Sequence, residues 1–133
     1  MASRAGQSDV TSASALVVAA DEEMRILLRG LLQLHRVRVD AEAAGMTEAL
    51  RFLREHRPGL VVADSRLSEG TPCELVSAAR EVVPCLRFVL VTTASSPPLA
   101  PEKEGRPDVV LVKPFRIQQF AEAIAPGAAG PAG

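Results

Sequence analysis

A doubly wound α/β fold with a five-stranded parallel sheet is predicted by three features of the chain. Apolar runs recur at Ala15 to Ala19, Leu60 to Ala63, Phe88 to Val91 and Val109 to Val112. Segments with apolar residues at helical spacing follow most of them. The runs are also continuous rather than alternating, as expected of strands covered by helices on both faces. With 133 residues, the chain is long enough to bury one core without disulfides or metals.

Ala15 to Ala19 forms the first expected strand, and Asp21 follows as a helix N-cap with Glu22 and Glu23 in the first turn, where the helix dipole favours acids. Met24, Leu27, Leu28, Leu31 and Leu34 supply the apolar stripe of that helix. Val37 to Ala41 alternates, as a strand at or near a sheet edge does. Met46, Ala49, Leu50 and Leu53 mark a second helix that ends near Arg57, before Pro58-Gly59; Gly45 and Gly59 read as turn residues. The strand Leu60 to Ala63 then closes on Asp64, and Thr71-Pro72-Cys73-Glu74 is a capping box with proline at the first helical position. Leu75, Val76, Ala79 and Val83 form the buried side of that helix, and Pro84 stops it. The fourth strand ends in Thr92. After it, Ser95, Ser96, Pro97, Pro98, Pro101, Gly105 and Pro107 leave room for at most a helical turn, so the fourth helix is expected to be degraded. Lys113-Pro114-Phe115 leaves the fifth strand, and Ile117, Phe120, Ala121 and Ile124 form the last stripe.

Composition narrows the functional classes. Fifteen basic residues against sixteen acidic ones, and no Trp or Tyr, give neither the basic surface nor the stacking platforms of nucleic-acid binders. Cys73 and Cys85 have no metal-ligand spacing and read as small buried hydrophobes; His35 and His56 read as favourable charges at helix C-termini. No membrane span or signal peptide is seen. The expectation is a cytoplasmic domain over 15–125, between a disordered leader at 1–14 and a flexible tail at 126–133. A Gly-rich phosphate loop or Gly-x-Ser-x-Gly elbow would point to a small enzyme; neither is present.

With strand order 2-1-3-4-5, a flavodoxin-like arrangement, the strand ends at Ala19-Ala20, Asp64, Thr92 and Lys113 ring one crevice. There a carboxylate could act as nucleophile toward phosphorus while a hydroxyl and an ammonium receive the phosphoryl oxygens. Val61-Val62-Ala63-Asp64 with Arg66-Leu67, Leu90-Val91-Thr92-Thr93 and Leu111-Val112-Lys113-Pro114-Phe115 together resemble the CheY-like receiver domain of two-component response regulators, over Ala15 to about Ala125. The resemblance implies that Asp64 is the phosphoacceptor, Thr92 the switch hydroxyl and Lys113 the phosphate-sensing lysine, followed by a cis peptide bond to proline. It also implies a histidine kinase or another signalling protein as partner.

The same resemblance exposes departures. The acidic pair that holds magnesium in the family corresponds to Ala19 and Ala20, and methyl groups cannot ligate a hard cation. Asp64 and a backbone carbonyl would be left to bind Mg2+, weakly, with Asp21 as a substitute ligand if the loop shifts. Loss of about 3 kcal/mol of metal stabilisation would slow phosphoryl transfer on the order of a hundredfold. Val110 replaces the usual aromatic switch residue, and Ser68 a frequent proline. Two expectations follow: a pseudo-receiver that signals by protein contact, with Lys113 neutralising Asp64 in a metal-free pocket, or a receiver still phosphorylated on Asp64.

Overall fold

The computed structural model describes residues 14–94 and 105–125. Its elements run β1 (Ser14–Val18), α1 (Glu22–Leu34), β2 (Arg38–Ala43), α2 (Met46–His56), β3 (Leu60–Asp64), α3 (Pro72–Val82), β4 (Arg87–Thr93), β5 (Val109–Lys113) and α4 (Ile117–Ile124). The strands form one sheet in the order β2-β1-β3-β4-β5, with every neighbouring pair parallel. This is the flavodoxin-like topology expected from the sequence. The degraded fourth helix, the leader up to residue 13 and the tail from 126 fall outside the described residues. Ser14, assigned to the leader by sequence, is the first residue of β1.

Alternation along the strands divides the core into two layers. Leu16, Val18, Val61, Ala63, Phe88 and Leu90 face α2 and α3, where they meet Ala49, Leu53, Leu75, Val76 and Ala79. Ala15, Val17, Leu60, Val62, Val89 and Val91 face α1 and α4, against Leu28, Leu32, Phe120 and Ala123. All five residues of β1 and of β3 are buried, which explains their uninterrupted apolar runs. The edge strand β2 is more exposed, as its alternation predicted.

Helix ends follow their sequence signals. Asp21 caps α1 by accepting from the Glu23 N–H, and Thr71 and Glu74 close a reciprocal capping box on α3. Arg57, left-handed at φ 46°, ends α2. His35 stands at the C-cap of α1, its Nδ1 2.9 Å from the Leu31 carbonyl oxygen, and His56 closes the last turn of α2.

Four details differ from the sequence reading. On α1, Leu27 and Leu34 are exposed while Leu32 is buried, because the sheet receives the Leu28–Leu32 side of the helix. Ile117 of α4 is likewise exposed, and Phe120 and Ala123 carry the contact. Neither cysteine is fully buried: Cys85 is exposed in the turn between α3 and β4, and Cys73 is half-buried in the first turn of α3. Gly45 is more than a turn residue, because a side chain there would overlap the Ser68 hydroxyl and lie 2.8 Å from Glu69 Cγ.

Candidate functional site

The topological switch lies between β1 and β3, neighbours whose following helices leave toward opposite faces of the sheet. A crevice opens at such a point, at the carboxyl ends of the strands. Asp64, the last residue of β3, stands there with its side chain 2% exposed. A carboxylate so removed from water needs charged or hydrogen-bonding partners. It has both: Lys113 Nζ donates to Oδ1 at 3.1 Å, and the Arg66 N–H donates to Oδ2 at 3.2 Å.

Lys113 reaches Asp64 across β4 from the last position of β5, and its peptide bond to Pro114 is cis. Thr92 lies at the C-terminal end of the intervening strand, next to Val91, the register partner of Asp64. The sheet therefore gathers Asp64, Thr92 and Lys113 at one edge of the crevice, two of them in direct contact. Asp21 is not gathered there: it is exposed, and one carboxylate oxygen is engaged at the N-terminus of α1.

The opposite rim is made of backbone. Arg25 Nη1 donates to the carbonyl of Ala19 at 2.7 Å and to that of Ala20 at 3.2 Å. Glu42 on β2 lies 4.0 Å from the same guanidinium and pairs with Arg29 at 2.8 Å. The Ala20 N–H donates to the Arg66 carbonyl, tying this rim to the loop after Asp64. Magnesium takes near-octahedral oxygen coordination and gives up its water reluctantly. Here the oxygens on offer are one carboxylate, that of Asp64, already paired with Lys113, and the neutral main-chain carbonyls of Ala19, Ala20 and Arg66. Among the described residues no cluster of three or more His, Cys, Asp or Glu side chains is placed to hold a metal. The residues present do not fit a magnesium ion.

Beyond Asp64, the loop to α3 is fastened at its far end as well. The Ser68 N–H donates to the Ala44 carbonyl at 2.9 Å, and the Glu69 carboxylate accepts the Thr47 N–H at 2.7 Å in the first turn of α2. Hydrogen bonds from Thr47, side chain first and backbone second, hold the Glu69 carboxyl below its usual range. Gly45 permits this close approach.

Sequence reasoning passed over Arg25 and Glu69. A signal existed for Arg25, since a cation in the first turn of a helix opposes the dipole and implies a nearby acceptor. Glu69 gave none, because its partner is a main-chain N–H 22 residues away.

Comparison with solved structures gives the fold independently. The signal receiver domain of the response regulator NarL from Mycobacterium tuberculosis matches with a TM-score of 0.75 and 21% identity, over 89% of this chain and 97% of that one. A Burkholderia pseudomallei response regulator, solved with a phosphorylated aspartic acid, calcium ion and citrate, matches at 0.74 and 21%, over 90% and 70%. A receiver domain protein from Clostridium thermocellum matches at 0.73 and 22%, over 84% and 90%. Comparison with curated proteins gives no match. The family model for the response regulator receiver domain matches residues 15–125, a span that holds all of the sheet but Ser14, together with Asp64 and Lys113, and the chain accordingly belongs to the response regulator receiver domain family.

Proposed function

We propose that this receiver acts as a protein-contact module, a pseudo-receiver in which magnesium-dependent switching is impaired. One observation carries the reading: β1 is followed by Ala19 and Ala20, which bring no carboxylate to the crevice and whose carbonyls are held by Arg25. A phosphoryl group arriving at Asp64 would meet Lys113 but no carboxylate-held divalent ion, so the metal's part of the transition-state stabilisation is missing. Val110 on β5 likewise gives a Thr92 movement no aromatic ring to displace. The domain would then work by binding a histidine kinase or another signalling protein rather than by turning over a substrate.

A second reading is favoured by the Asp64–Lys113 contact itself. In it, an Asp64 oxygen attacks phosphorus, the bond from phosphorus to the donor's leaving atom breaks, and Lys113 pairs with the new phosphoryl oxygens. The Burkholderia neighbour carries a phosphorylated aspartic acid, which lends this reading weight.

Intact mass after incubation with acetyl phosphate, with and without Mg2+ and beside Asp64→Ala, separates the two. The pseudo-receiver reading expects no adduct on the folded protein. An adduct of one phosphoryl group that disappears in Asp64→Ala would replace it with the second reading.

A further inference from the structure

Asp64 in the crevice and Glu42 behind its β1 rim each face a cation of the protein's own. At the end of β3, the carboxylate of Asp64 faces the ammonium of Lys113. At the end of β1, Arg25 lies on two carbonyl dipoles, and Glu42 faces both Arg25 and Arg29. A divalent cation is drawn to a surplus of negative charge and free oxygen lone pairs. The β3 rim offers a single carboxylate, already neutralised by Lys113, and the β1 rim offers neutral main-chain carbonyls already facing a guanidinium.

We infer that the crevice is complete without a divalent cation: Lys113 and Arg25 supply the fixed positive charge, and the side chains at positions 19 and 20 decide that no metal enters. This deepens the pseudo-receiver reading and rests on it, but metal occupancy and phosphoryl transfer are separate observables. A protein that took a phosphoryl group without binding metal would overturn that reading and leave this inference standing.

The two alanines are not equivalent. Ala19 is fully buried, so an aspartate there carries a desolvation cost, whereas Ala20 is exposed and accepts one without loss of packing. Ala20→Asp would add a negative charge and two oxygens beside the Arg66 carbonyl that its own N–H already contacts. Arg25 would then oppose metal entry by repulsion and by competing for the new carboxylate. Removing its charge in the Ala20→Asp background should tighten binding further.

Mn2+ is a direct probe, because it takes the same oxygen ligands as magnesium and its free aquo ion is counted by electron paramagnetic resonance. The full chain should show no saturable binding up to about a millimolar, the weak end of protein oxygen-ligand sites. Ala20→Asp should bind at least about tenfold more tightly than the parent, and Ala20→Asp/Arg25→Gln more tightly again, effects of the size that ligand and outer-shell changes produce. Circular dichroism establishes that each variant is folded, and Ala19→Asp/Ala20→Asp serves as a second gain-of-binding variant. Saturable binding by the parent below a millimolar, abolished in Asp64→Asn, would overturn the inference. Folded aspartate variants that still exclude Mn2+ would overturn the role given to positions 19 and 20. An Arg25→Gln change that leaves affinity unaltered would remove Arg25 from the account.

Discussion

At the end of β3 a buried carboxylate meets an ammonium brought from β5, whereas at the end of β1 the acceptors are main-chain carbonyls met by a guanidinium from the helix that follows at once. The first contact joins residues 49 apart in sequence, and the second joins residues five and six apart. The Asp64 rim therefore exists when the whole sheet has assembled, while the Ala19-Ala20 rim belongs to a single strand-helix connection. The difference teaches where each depends on the fold: the long-range contact is sensitive to charge at either end, and the local one to the shape of the guanidinium fork.

Breaking the long-range pair should have the largest effect. Lys113→Met keeps the side-chain length but leaves the Asp64 carboxylate buried without its cation, at a cost of about 1–3 kcal/mol. Chemical denaturation should show this as a lower midpoint. Adding Asp64→Asn should recover part of the loss, since the uncompensated charge is then gone; equal losses in single and double variants would mean that the pair contributes nothing.

Arg25→Ala should cost less, about 1 kcal/mol, because it removes contacts from a partly exposed side chain and one of the two carbonyls it leaves, that of Ala20, is open to water. Arg25→Lys should not restore it, as one ammonium cannot reproduce the fork. Full rescue by lysine would show that charge alone matters there and would erase the distinction between the rims.

The smallest effect is expected at the Glu69 fastening. Its carboxyl is held below the usual range in the folded state, so its contribution is present above the unfolded-state value and is lost as pH falls through the lower folded-state one. Amide hydrogen exchange at Thr47 should accelerate across that acidic window in the parent and be already fast at neutral pH in Glu69→Ala. Unchanged protection of Thr47 in that variant would show that the α2 end of the loop is held by something else.

What could be read from the sequence follows the same division. Asp64, Thr92 and Lys113 were legible because each interrupts or ends an apolar run, and an apolar-to-polar change marks a strand end. Sheet order followed from crossover logic. Arg25 was not legible as a rim residue because its acceptors are backbone carbonyls, and a carbonyl has no letter in the sequence. The burial of α1 was misjudged for a related reason: Leu27, Leu28, Leu31, Leu32 and Leu34 form a stripe nearly half the helix circumference wide, spacing alone does not say which margin of it is buried, and the sheet selects the Leu28–Leu32 margin. Cys85 was misjudged because its apolar character says nothing about its place in a turn next to Pro84.

The loop between Asp64 and α3 is bound to Ala20 at Arg66, to Ala44 at Ser68 and to Thr47 at Glu69. Its backbone has therefore lost its conformational freedom before any partner arrives. Ordering a free backbone costs about 1–2 kcal/mol per residue, and a partner that seats on this segment is spared that cost. Recognition at this end of the sheet should then resemble the docking of two rigid bodies: its affinity is set by surface fit, and changes in the loop's fastenings are felt in binding entropy more than in enthalpy.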